Sequence, residues 1–271
     1  MMKTLHIAVI SAVMIAFSGI ENKAFSQFLH QKKDAPIHLE RYSWTGSLDS
    51  HTPISIWFER NDDNLLAGEI VYTASQTKSP VRVLGQVIVN PNNGEEEFRL
   101  SEFLGRRAEK TGTMYFTLDS LGNGKGFWKN IDTSHVLLLD QVVAFPIGKG
   151  GMLQPENYTT IGTKPIYYSY YYYHPYKGTL GGEATLELME HRYIKFQITI
   201  RDPNVAEGDD ELDYHRHAPL VGNKFIYHMR GCDYMFECHI FHDFIFLKTL
   251  TDRPSECFGV GSSFDGFLIR R

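Results

Sequence analysis

The chain has 271 residues and a formal charge of −5, so it lacks the basic surplus that holds a nucleic-acid backbone. Its 18 Phe and 15 Tyr favour strands over helices, which sets an all-β class against a helical one. Beyond the N-terminal run no segment is long and apolar enough for a membrane helix of about 20 residues, so no transmembrane span is expected.

Lys3 and His6 precede the apolar run Ile7–Phe17, which is too short to span a bilayer. A basic start, a short apolar run and small residues beyond it describe a secretory signal peptide. Ala24-Phe25-Ser26 fits a small-x-small cleavage site, with a second option near Ser18-Gly19. Residues 1–26 are therefore read as a signal peptide and the mature chain as a soluble exported protein, periplasmic or extracellular. The remaining residues, about 245, suit one large β domain or two small ones.

Residues 27–40 lack periodicity and form an N-terminal lead. From residue 41 short strand-like runs recur. Tyr42–Leu48 is followed by the alternating Ile54–Glu59, then Leu66–Tyr72, Val81–Val89, Glu97–Phe103 and Gly112–Leu118. Gly122-Asn123-Gly124 marks a hairpin into Phe127-Trp128, and His135–Leu139 closes the series. This spacing predicts a first β domain over residues 41–144, an antiparallel barrel or sandwich.

The ordered motifs Gly68-x-Ile70-x-Tyr72, Val83-x-Gly85, Leu100-x-Glu102, Gly112 and Gly126-x-Trp128 carry a resemblance. Residues 42–140 look like a β domain that recurs in uncharacterised exported proteins of Gram-negative bacteria. That resemblance implies a β fold and supplies no activity.

Residues 145–175, with Gly148, Gly150, Gly151, Pro155 and Pro165, read as a linker that ends in a tyrosine-rich segment, Tyr167–Tyr176. Two readings stand for that segment. Tyr170, Tyr172 and Tyr176 are candidates for an aromatic platform that stacks on a ligand. The alternative is a strand in which alternate tyrosines pack and the others reach the surface, which an apolar ring with a polar tip allows.

A second β domain is predicted over residues 176–271, through Ala184–Leu188, the alternating Tyr193–Ile200, Lys224–Met229 and Tyr234–Leu247. Cys238–Lys248 reads as one strand in which His239, Phe241 and Asp243 share a face. Three cysteines, Cys232, Cys238 and Cys257, fall in this domain, and in an oxidising compartment two of them pair. The run from Cys238 and the later Cys257-Phe258-Gly259-Val260-Gly261 with Asp265-Gly266-Phe267 is similar to the ending of lysozyme-inhibitor-type envelope proteins. That resemblance implies a Cys238–Cys257 disulfide. Pairing of Cys232 with Cys257 is the alternative.

Asp213-x-His215-x-His217 places three possible zinc or copper ligands on one face if the strand alternates strictly. The same residues also read as ordinary polar residues beside an acidic loop. His239 and His242-Asp243 have no elbow-type nucleophile beside them, because Gly261-Ser262-Ser263 misses the Gly-x-Ser-x-Gly spacing. Gly122–Gly126 lacks the spacing of a phosphate loop. No cofactor and no catalytic residue is assigned. The sequence thus points to an exported envelope protein without catalytic activity that binds a protein or a glycan, with a lysozyme-inhibitor-like role as one version. The alternatives are a hydrolase of envelope glycans or esters and a structural partner in an envelope assembly.

Overall fold

The computed structural model describes residues 38–141, 151–156, 166–174, 179–189, 193–200, 210–229, 234–251 and 265–271. Sixteen strands and no helix occur among the described residues. The first eight are β1 (Leu39–Leu48), β2 (Thr52–Asn61), β3 (Leu65–Tyr72), β4 (Val81–Val89), β5 (Glu96–Leu104), β6 (Glu109–Leu118), β7 (Gly124–Lys129) and β8 (Ser134–Gln141). Each pairs antiparallel with the next, and β8 returns to β1 through Trp44↔Gln141 to Leu48↔Leu137. The result is a closed eight-stranded up-and-down barrel, which leaves no free sheet edge.

The period-two pattern explains the barrel interior. Ile54, Ile56 and Phe58 of β2 point inward and are buried, as do Leu66 and Ile70 of β3 and Phe98 and Leu100 of β5. Aromatic rings fill the middle: Trp44 lies 5.1 Å from Phe58, and Phe98 stacks on Phe116 at 5.1 Å. An eight-stranded barrel is just wide enough to be filled in this way. Glycines let neighbouring strands close up. A Cβ on Gly68 would lie 1.9 Å from the Trp57 carbonyl oxygen.

The remaining strands are β9 (Ile166–His174), β10 (Thr179–Met189), β11 (Tyr193–Ile200), β12 (Asp210–Pro219), β13 (Lys224–Met229), β14 (Tyr234–Ile240), β15 (Phe244–Thr249) and β16 (Gly266–Arg270). They pair antiparallel in the spatial order β12-β11-β10-β9-β16-β15-β14-β13. No ladder joins β12 to β13 among the described residues, so both are edges. The sheet curls around its own core. Phe196 of β11 stacks on Phe225 of β13 at 4.9 Å, with Tyr170, Phe236 and Leu247 buried in the same cluster.

The tyrosine-rich stretch placed at the end of the linker is β9, a central strand of this sheet. Tyr168 and Tyr170 pack into the core, Tyr171 packs on the opposite face, and Tyr167 is exposed. Residues 167–174 of that segment thus lie on a strand with packed tyrosines on both faces, and Tyr176 lies outside the described residues. The run Cys238–Lys248 is not one strand. It breaks between β14 and β15, where the Phe241 N–H bonds the Phe244 carbonyl at 2.9 Å. His239 and Asp243 consequently sit on different elements.

The barrel and the curled sheet meet in a third cluster. Leu65, Ala67, Leu84 and Phe103 on the outer wall of β3, β4 and β5 pack against Tyr171, Phe241, Phe244, Phe246 and Ile269. Two-sided burial explains why β3 reads Leu65-Leu66-Ala67 rather than alternating. Among the described residues a main-chain hydrogen bond crosses the seam, from the Tyr173 N–H to the Ala108 carbonyl at 3.2 Å, beside a parallel bridge of Glu109 with Tyr173. The segment 151–156 is laid into the seam through Leu153, which is fully buried.

Candidate functional site

Of the sequence candidates, Asp213, His215 and His217 lie on β12. The register of β12 against β11 shifts there: Leu212 pairs with Ile198 and Arg216 with Phe196, so Asp213, Tyr214 and His215 face a single residue, Gln197. An irregularity of this size interrupts the strict alternation on which a shared face depends. The side chains of Asp213 and His215 lie outside the described residues, and His217 is exposed. No cluster of three or more potential metal ligands occurs among the described residues.

The platform candidates divide. Tyr170 is 1% exposed and belongs to the core, Tyr172 is half-buried, and Tyr176 lies outside the described residues. Cys238 is a free, fully buried thiol on the core side of β14. Burial raises its pKa, which keeps it a protonated, unreactive group. The partner expected for it, Cys257, and the alternative, Cys232, lie outside the described residues.

His239 is held in a polar knot at the seam. Its Nε2 lies 2.5 Å from Glu237 Oε1, and its Nδ1 lies 3.8 Å from Asp63 Oδ2, across in the β2–β3 turn of the barrel. Lys224 on β13 joins both carboxylates, at 2.7 Å to Asp63 and 3.5 Å to Glu237. His239 first and Lys224 after it hold the Glu237 carboxyl down to about 2, against the opposing effect of burial. The knot joins the two halves of the molecule. His239 itself is buried in it at 3% exposure. Asp243, the other group of that stretch, turns instead to Arg82 and His242.

Glu102 is a buried carboxylate inside the barrel near one end. It accepts hydrogen bonds from the Tyr72 hydroxyl at 2.5 Å, the Thr111 hydroxyl at 2.6 Å and the Trp128 indole N–H at 3.4 Å. Burial and the adjacent carboxylate raise the Tyr72 pKa, so the phenol stays a donor. At the other end Arg60 points inward and bonds Glu96 at 3.0 and 2.6 Å and Asn64 at 3.0 and 2.6 Å. The polar groove of about 350 Å³ beside it holds His38, Glu40 and Asp62. Its carboxylates are engaged: Glu40 by the Tyr42 hydroxyl, Glu96 by Arg60 and Asp62 by the His38 N–H. These constellations close and brace the fold, and none of them pairs a free base with an accessible nucleophile.

The open surface is the barrel wall away from the seam. Register places Tyr115 (β6), Phe127 (β7) and Val136 (β8) side by side in one row, all pointing outward. The next row is Thr117, Lys125, Leu138 and Ser47. Phe127 is 48% exposed, Val136 41% and Leu138 37%. Arg99 lies 5.9 Å over the Tyr115 ring and Lys129 5.3 Å over the Phe127 ring. A groove of about 690 Å³ adjoins the rows, lined in part by Thr45, Ser47, Thr117, Lys125, Leu138 and Asp140. Apolar residues in the middle with charges at the rim is the make-up of a docking surface. Sequence reading missed it because it took each outward residue singly. The signal was the apolar content of Val136-Leu137-Leu138-Leu139, more than a half-buried strand needs.

No protein-family model, curated protein or solved structure matches the chain.

Proposed function

We propose that the chain is a non-catalytic exported protein of the cell envelope that binds a partner protein on the outer wall of β6, β7 and β8. The observation that supports this reading is the row Tyr115–Phe127–Val136 with Leu138, apolar and open on a barrel whose opposite wall is already covered. The engaged state of the buried carboxylates and His239 speaks against the hydrolase alternative. Charge adds a partner preference: a chain at −5 attracts a cationic protein over longer range. Lysozyme inhibition is the specific version, in keeping with the C-terminal resemblance.

The test is binding and residual lytic activity with a panel of purified lysozymes, using the mature protein and the variants Phe127→Lys and Leu138→Lys. A bound, inhibited lysozyme that each variant releases supports the reading, with about a tenfold or greater loss of affinity expected for a central aromatic residue. Lysozymes left fully active and unbound sink the lysozyme version. Binding that both variants leave intact removes the wall as the surface. Capture of peptidoglycan fragments instead of protein moves the partner to the glycan class.

A further inference from the structure

An up-and-down barrel sends alternate turns to opposite ends. One end carries the turns β2–β3, β4–β5 and β6–β7, and the other carries β1–β2, β3–β4, β5–β6 and β7–β8. Charge divides between them. The first set holds Asp62, Asp63, Glu95 and Asp119 and no Lys or Arg. The second set holds Lys78, Arg106 and Arg107, with Lys129 at the last position of β7. All four cations are exposed. None of them makes an ion pair among the described residues. The acids at their end are Asp132, Glu109 and Asp49, and Asp49 is engaged by the His135 ring at 2.6 Å and the Val136 N–H at 2.7 Å.

Two apolar side chains stand out at the same end. Ile131 is 68% exposed in the β7–β8 turn and Leu104 is 47% exposed at the end of β5. Both tips are held by their turns. Asn130 Oδ1 accepts the N–H groups of Asp132 and Thr133 at 2.9 and 2.7 Å, which fixes the loop under Ile131. The β5–β6 turn is anchored to the sheet half, where the Tyr171 hydroxyl donates to the Arg106 carbonyl. Arg271 widens the cationic area, with its guanidinium 5.0 Å over the ring of the same Tyr171. A tip that is already ordered loses little conformational freedom on binding.

We propose that this end of the barrel seats the protein on an anionic phospholipid bilayer. The cations lie against the lipid phosphates, and Ile131 and Leu104 dip into the headgroup boundary. A chain of negative net charge can bind this way because the attraction acts locally. It fades within a Debye length of about 8 Å, whereas strands of about nine residues put the acidic turns roughly 20–25 Å away. The apolar tips favour a bilayer over a dissolved phosphate, which would use the charges and gain nothing from Leu104 or Ile131. The β6–β8 wall stays open at the side, so a protein partner there and a bilayer here do not compete.

The test is co-sedimentation of the mature protein with vesicles of phosphatidylcholine alone and with about one-third phosphatidylglycerol added. Binding to the mixed vesicles should exceed binding to phosphatidylcholine and fade as salt rises. Each basic residue near an anionic surface strengthens binding about fivefold, so Arg106→Glu combined with Arg107→Glu should weaken it about thirtyfold or more. Ile131→Ser should weaken it severalfold. Leu121→Ser should not, although Leu121 is 76% exposed, because it stands at the acidic end. Equal binding to the two kinds of vesicle overturns the proposal. So does mixed-vesicle binding that the double charge reversal leaves unchanged, and so do equal losses from Ile131→Ser and Leu121→Ser. Release of the bound protein by inorganic phosphate at matched ionic strength overturns it in favour of a phosphate site.

Discussion

The two halves of this molecule solve the same problem differently. In the barrel, sequence order is spatial order and every strand has two partners. In the curled sheet, β9 at the centre waits for β16, nearly a hundred residues later, and two edges stay open among the described residues. The polar interior follows the same division. The barrel's buried Glu102 is met by three donors, whereas the buried side-chain atoms without a hydrogen bond among the described residues, the Tyr170 hydroxyl and His239 Nδ1, both belong to the sheet half. Closure by neighbours leaves little slack, and closure by distant segments leaves some. The barrel should therefore respond more sharply to a change in its wall or its interior.

The largest effect is expected from Gly68→Val. The new Cβ would meet the Trp57 carbonyl at 1.9 Å and the Phe58 Cα at 2.5 Å, both backbone atoms of a strand that cannot move without opening the ring. Overpacking a core typically costs about 1–3 kcal/mol, and here the loss should lie at or above the top of that range. The urea midpoint measures it. A loss below about 1 kcal/mol would mean that the barrel yields like an open sheet.

The next comparison is a pair. Glu102→Ala orphans the Tyr72, Thr111 and Trp128 donors and should cost about 3 kcal/mol. Tyr170→Phe removes a buried hydroxyl that has no partner, so it should be neutral or stabilise by up to about 1 kcal/mol. Measured together, the two changes should differ in sign or nearly so. A substantial loss from Tyr170→Phe would show that the hydroxyl is satisfied in solution, and the contrast between the halves would fall.

The barrel was legible because its physics is local. The alternation Ile54-x-Ile56-x-Phe58 and the Gly122–Gly124 turn mark strands and hairpins directly, and the glycines of the motifs prove to be places where strands approach closely. The sheet half was less legible. β9 is apolar-aromatic on both faces, so its tyrosines show no period of two and resemble a linker of odd composition. The break at Phe241–Asp243 carries no Gly, Pro or Asn, and so gives no turn signal. The register shifts at Thr111 and at Asp213–His215 are set by pairing with another strand, which one sequence cannot display. The exposed apolar row of β6, β7 and β8 and the Asp63–Lys224 link fail to show for the same reason, since both exist only once distant strands are neighbours.

The smallest expected effect lies at that link, and it tests whether the two halves are held by charge as well as by the apolar seam. Glu237 has a folded pKa of about 2, below its ordinary 4.5, because His239 and Lys224 favour its charged form. A carboxyl depressed on folding contributes stability that is present above its unfolded value and fades as pH drops towards the folded one. The contribution should therefore be complete above about pH 4.5 and lost between there and pH 2. Glu237→Gln should flatten the stability of the native protein across that window and leave its slope above pH 5 unchanged. The effect should be modest, because the Phe103, Phe244 and Tyr171 packing of the seam does not depend on pH. If Glu237→Gln leaves the acid limb as steep as before, the knot contributes nothing that the apolar seam does not already supply, and the halves are joined by packing alone.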